Sequence, residues 1–172
     1  MQINSNLMKK LPFIIALVCA FTFTSCNNDS KDEPSTPKGE VWSYTGEFKI
    51  NGATMQLEGA DVTDTRVELA HDATDAGVDT LKFYEVKFSP MQPFALLAVR
   101  LTVKIDDEGN ISQVEDEQAA EFQTDGQWIA YTAHKFTETT GNASKTALSL
   151  STKCGSAALS YEGNKEQAIA ND

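Results

Sequence analysis

The chain has 172 residues, 14 Lys+Arg against 25 Asp+Glu, a net charge of -11, 41% hydrophobic residues and three cysteines. Its length suits one domain of ordinary size. The acidity argues against a nucleic-acid partner, which needs a basic face to displace counterions. Three cysteines exclude a disulfide framework, and two histidines leave little for a histidine-rich metal centre.

Lys9-Lys10 precedes an uncharged run, Leu11 to Phe23, of 13 residues. As a helix that run spans about 20 Å, short of the roughly 20 residues that a bilayer core requires. A secretory signal over residues 1–25 is therefore favoured over a membrane span. Ser25-Cys26 at its end resembles a bacterial lipobox, with Phe23 where leucine is usual. Such departures are common in lipoproteins of the Bacteroidetes. Cys26 is then the lipidated residue, carrying palmitate-type acyl chains, and two or more chains hold a protein firmly to a membrane. The alternative is ordinary cleavage that leaves Cys26 a free thiol. Asn27 to Glu33 resembles the acidic tract that can direct such lipoproteins to the cell surface. With residues 1–25 removed, 12 basic groups face 25 acidic ones, a net charge of -13, and Cys154 has no partner but Cys26. Residues 26–40, with Pro34, Pro37 and no large apolar side chain from Asn27 to Glu40, read as a flexible leash.

From Val41 the apolar period is two, and residues 41–172 read as one β-rich domain. Trp42, Tyr44, Gly46, Phe48 and Ile50 share one face of a first strand, and Asn51-Gly52 is a hairpin signal. Met55 and Leu57 follow on a second strand, and Arg66 to Leu69 on a weaker one. Across Leu81 to Phe88 the parity is divided: Lys82, Tyr84, Val86 and Phe88 on one side, Leu81 and Phe83 on the other. Pro90 and Pro93 interrupt, since proline cannot join a central ladder. Ala95, Leu97, Val99, Leu101, Val103 and Ile105 form the clearest strand, turned at Asp106 to Asn110. Asp116 to Phe122 suits a helical turn or two. Gln127 to Phe136 is a further strand, and Thr140-Gly141-Asn142 is expected to turn the chain. Two short strands through Leu148, Leu150 and Leu159, Tyr161 close the pattern around Cys154-Gly155. About nine or ten short strands with brief connections point to an all-β fold, an antiparallel barrel or sandwich, and a chain of this size can close a small barrel of eight or so strands.

The order of parts resembles the calycin-like lipoproteins of the Bacteroidetes. Tyr44-Thr45-Gly46 matches their opening strand, Phe88-Ser89-Pro90-Met91-Gln92-Pro93 the segment before the long apolar strand, and Tyr161-Glu162-Gly163-Asn164-Lys165 the closing one. The resemblance implies a small calycin-type β-barrel and no particular activity. Lipocalins proper open with Gly-x-Trp; here Gly39-Glu40-Val41-Trp42 is one residue longer, and no arginine follows Arg100. A lipocalin ligand site is not supported.

No hydrolase, kinase or dinucleotide motif occurs, so a non-catalytic protein without a cofactor is expected. Asp106, Glu108, Asn110 and Glu117 fit positions of a calcium loop, but Ile111 stands where glycine is needed, and a solvated turn explains them better. Asp61, Asp64, Asp72, Asp75 and Asp79 read as a solvated acidic face, and His71 and His134 as isolated histidines. No metal site is expected. Trp42, Tyr44, Tyr84, Trp128 and Tyr131 are the side chains best suited to stack on a ligand, with core filling as their plain alternative. Asp79-Thr80-Leu81 is similar to an acceptor triplet for O-linked glycans, with Thr80 the acceptor. The expectation is an outer-membrane lipoprotein, periplasmic or surface-exposed and monomeric, that binds a small apolar or sugar-like ligand or a partner protein through an aromatic mouth. The alternatives are a structural lipoprotein with a filled barrel and a peptidase inhibitor.

Overall fold

The computed structural model describes residues 39–74 and 77–166. The expected signal, Cys26 and most of the expected leash lie outside the described residues. In chain order the strands are β1 (Val41–Ile50), β2 (Ala53–Thr54), β3 (Gln56–Leu57), β4 (Ala60–Asp61), β5 (Thr65–Ala70), β6 (Asp79–Val86), β7 (Leu96–Ile105), β8 (Asn110–Gln113), β9 (Gln118–Thr124), β10 (Gln127–Ala143), β11 (Ala147–Cys154) and β12 (Ala157–Lys165). They close an antiparallel barrel in the order β1, β5, β6, β7, then β8 with β9, then β10, β11 and β12, which returns to β1. The barrel has eight positions because β8 and β9 share one. β8 bridges β7 to β10 at one end, and β9 bridges the same strands at the other.

Gln113 closes the gap between those two short strands. Its side-chain amide donates to the Phe136 carbonyl at 3.0 Å and accepts from the Thr139 N–H at 2.9 Å. Backbone groups left without a ladder partner would otherwise be costly to bury. The β10–β11 register shifts beside this point, between Thr137 and Thr140, where Glu138 takes a left-handed φ of 55°.

The first and last strands form the closing ladder, from Tyr44↔Lys165 to Ile50↔Leu159. Gly46 faces Gly163 there, and a Cβ on Gly46 would run into the Glu162 carbonyl and the Gly163 Cα. The two strands can approach this closely only without side chains at the crossing. The Tyr161 ring covers Gly163, and its hydroxyl donates to the Thr65 carbonyl at 3.2 Å. Tyr44 donates to the Ser144 carbonyl at 2.7 Å. Burial raises the pKa of both phenols above the ordinary value, so they remain donors.

Eight strands leave an interior that side chains can fill. Tyr44, Tyr161, Phe48, Phe83, Phe136 and Met55 do so with Leu and Val neighbours, all fully buried. Phe48 meets Phe83 and Phe88 edge-on at 6.1 and 6.2 Å, and Phe88 meets Phe136 at 5.1 Å. These pairs run from mid-barrel to one end. Val41, Ala70, Asp79, Ala143 and Lys165 mark the opposite end.

The first-strand alternation and the Asn51-Gly52 turn match the expectation, with φ values of 52° and 80° in the turn. Other elements differ. Asp116 to Phe122 forms no helix; Gln118–Thr124 is a strand because pairing with β7 and β10 overrides the local preference of Gln-Ala-Ala-Glu. Thr140-Gly141-Asn142 does not turn. Gly141 lies within β10, where a Cβ would strike the Ser149 carbonyl, and the turn comes at Ser144 to Thr146. The divided parity of β6 has a cause: Leu81 and Phe83 point inward, Lys82 and Tyr84 outward, and a φ of 52° at Glu85 then turns Val86 inward. Leu97, expected inward, is 63% exposed, while Leu96 packs on the core.

Gly46→Ala is expected to lower the unfolding free energy by about 1–3 kcal/mol or more, since overpacking against backbone cannot relax cheaply. Urea unfolding measures it, with Ser151→Ala on an exposed position of β11 changing stability by less than about 0.5 kcal/mol.

Candidate functional site

The end of the barrel beyond Phe88 opens into a recess of about 560 Å³. Its lining comes from three places. The β6–β7 connection supplies Phe88, Met91 and Phe94; β7, β9 and β10 supply Leu96, Phe122 and Tyr131; the β11–β12 turn supplies Cys154, Ser156 and Ala157, with His134 beside them. Phe122 and Tyr131 meet edge-on at 6.0 Å, and His134 leans on Tyr131 at 5.8 Å. Phe88 joins the core below. Two apolar side chains of the connection face solvent, Met91 at 92% exposure and Phe94 at 67%.

The connection is irregular because Pro90 and Pro93 cannot donate to a ladder, yet its shape is fixed. Gln92 accepts from the Phe88 N–H at 3.1 Å and donates to the Phe94 carbonyl at 2.8 Å, and the Ser89 hydroxyl accepts from the Met91 N–H at 3.2 Å. With the loop held from within, the apolar side chains stay presented rather than collapsing onto it. Exposed apolar clusters of this kind mark binding surfaces.

The Cys154 thiol is buried, and burial pushes its pKa up to about 11. It stays protonated at neutral pH and supplies no thiolate nucleophile. The recess can enclose an apolar body, with polar groups of Ser89, Gln92 and His134 around it.

The five aromatic residues singled out from the sequence fall in three places. Tyr131 lies in the recess. Trp42 and Tyr44 are buried core residues nearer the Val41 end. Tyr84 and Trp128 lie together on the outer wall, linked by Lys82, whose Nζ is 4.7 and 5.6 Å from their ring centroids. A single mouth built from all five is therefore not assembled. Phe88, Met91, Phe94 and Phe122 line the recess with Tyr131 instead; the signal for Phe88, Met91 and Phe94 was the apolar content of a proline-interrupted loop, whereas Phe122 comes from β9. Thr80 sits half-buried on β6, opposite Ala70 and Thr102.

The calcium-like residues make a hairpin turn. The Asp106 carboxylate accepts from the Glu108 and Asn110 N–H groups at 3.0 and 2.8 Å and from the Asn110 amide at 2.9 Å, and these bonds lower its pKa. Glu117 pairs instead with Lys135 at 2.8 Å. Of the acidic run, Asp61 accepts from Gln56, Asp72 from Thr74 and Gly77, and Asp79 from the Asp72 N–H. Asp75 lies outside the described residues. Among the described residues no group of three or more His, Cys, Asp or Glu is placed to hold a metal ion.

His71 is buried at the Val41 end, edge-on to Trp42 at 4.3 Å, with Nδ1 3.7 Å from the Asp79 carboxylate. Desolvation lowers its pKa, against the opposing pull of Asp79 and Glu40.

Compared with protein-family models, curated proteins and solved structures, the chain matches none.

Because His71 takes its proton less readily folded than unfolded, its contribution to stability is complete above about pH 6.5 and lost as pH falls below that value. Urea midpoints should fall between pH 7.5 and pH 5. The fall should be smaller in His71→Phe.

Proposed function

We propose that this protein is a membrane-anchored, non-catalytic binding lipoprotein of the calycin-like kind, whose barrel mouth receives a small apolar ligand. The carrying observation is the recess of about 560 Å³ with Met91 and Phe94 exposed at its rim. Removing apolar surface from water contributes about 25 cal/mol per Å², and a site of this size suits a small molecule. Because the barrel below is filled, the ligand lodges at the end of the barrel rather than in a central cavity. That separates the reading from a lipocalin-type calyx.

Topology supports a tethered display. The chain enters β1 at Val41 and leaves β12 at Lys165, both at the end away from the recess. An anchor that precedes β1 would join the barrel at the end opposite the mouth. The acidity of the chain keeps the barrel clear of anionic headgroups.

The neutral fluorophore N-phenyl-1-naphthylamine tests the mouth. It should bind saturably, and Ser156→Trp, which fills the recess from an exposed turn, should weaken binding by about tenfold or more. Unaltered binding in that variant, or none in the parent, would contradict the site. Labelling of cells with a palmitate analogue should mark the protein and be lost in Cys26→Ser.

A further inference from the structure

We propose that the outer wall of the barrel around Trp128 and Tyr84 is a second binding site, separate from the mouth, for a linear acidic polysaccharide. The two rings flank a row of charges. Glu68, Lys82, Arg100 and Glu121 are direct cross-strand partners in succession over β5, β6, β7 and β9. Arg100 lies over the Trp128 ring at 4.5 Å, Lys82 stands between the two rings, and Arg66 lies over Tyr84 at 4.9 Å. The Tyr84 hydroxyl donates to Glu68 at 2.5 Å, and Arg66 pairs with the same carboxylate.

Ala98, the cross-strand partner of Tyr84, has outward parity yet no exposed surface. Large side chains must therefore lie across the wall rather than stand away from it, and the Tyr84 and Trp128 rings lie there with cations packed against them. Pyranose rings stack their C–H faces on such surfaces, and aromatic rings supply large contact areas at low entropy cost.

Charge decides the class of sugar. Three of the chain's 14 basic residues gather here against Glu68 and Glu121, leaving the patch positive on a chain of net charge -11. Arg100 engages Glu121 through Nε at 2.5 Å, and its terminal nitrogens have no hydrogen bond among the described residues. Lys82 has no ion pair among them. Both can accept a carboxylate from outside, Arg100 with the planar fork that suits it. Neighbouring strands stand about 4.8 Å apart, close to the length of one sugar unit, so a chain crossing the strands brings successive carboxylates to Lys82 and Arg100. A polyanion as dense as nucleic acid is repelled by the rest of the surface.

Isothermal titration with polygalacturonate tests the site, using dextran as the neutral polysaccharide, duplex DNA and phosphatidylglycerol vesicles as other anions. The proposal predicts binding to polygalacturonate that weakens with salt and none to dextran. Trp128→Ala and Arg100→Gln should each weaken it by about tenfold or more. Circular dichroism confirms folding, and Arg100→Gln carries the test if Trp128→Ala does not fold. Binding of N-phenyl-1-naphthylamine at the mouth should be unaffected by either change. The proposal is overturned if polygalacturonate does not bind, if the folded variants bind it as the parent does, or if dextran, DNA or vesicles bind equally well.

Discussion

A closed eight-stranded barrel needs its first and last strands to meet, and here they meet at the crossing of Gly46 and Gly163. Any larger residue at Gly46 would hold β1 and β12 apart, because the obstruction is backbone rather than a flexible side chain. Closure at this point removes both sheet edges at once, which an open sheet would leave as unpaired donors and acceptors. Tyr161 covers the glycine on one side of the seam, and the hydroxyls of Tyr161 and Tyr44 tie it to Thr65 and Ser144. Tyr44-Thr45-Gly46 and Tyr161-Glu162-Gly163, the first and last motifs singled out in the sequence, are the residues of this seam.

Closure also decides which surfaces stay open. The edge-to-face rings of Phe83, Phe48, Phe88 and Phe136 occupy the interior from mid-barrel to the recess end. What remains is the rim, where a loop with two prolines carries apolar side chains that no ladder can bury, and the outer wall, where the outward half of the alternation is free to carry rings and cations. The two surfaces differ in chemistry and lie on different parts of the molecule.

Much of the architecture was legible because a half-buried strand writes its alternation into the sequence. β1, β11 and β12 show it plainly, and the Asn-Gly turn after β1 is a local signal. The pattern fails where tertiary pairing overrides it. Gly141 resembles a turn residue until Leu150 and Ser149 are beside it, and Gln118 to Glu121 resembles helix until β7 and β10 flank it. Glu85 switches the inward face of β6 through its own φ, which parity counting cannot see. The candidate site was less legible. Aromatic content singled out Tyr131, Tyr84 and Trp128, but only the folded arrangement separates the barrel end from the outer wall, and Gln113 and Gln92 gain their roles from backbone groups distant or hidden in the sequence.

Native-state hydrogen exchange tests the central claim most directly. If the seam holds the barrel closed, amides of the β1–β12 ladder from Glu47 to Ile50 and Leu159 to Glu162 should exchange only with global unfolding, as slowly as those of Leu81 and Leu101 in the β6–β7 pair. Exchange of the seam through a separate opening of lower free energy, with β6 and β7 still protected, would contradict it.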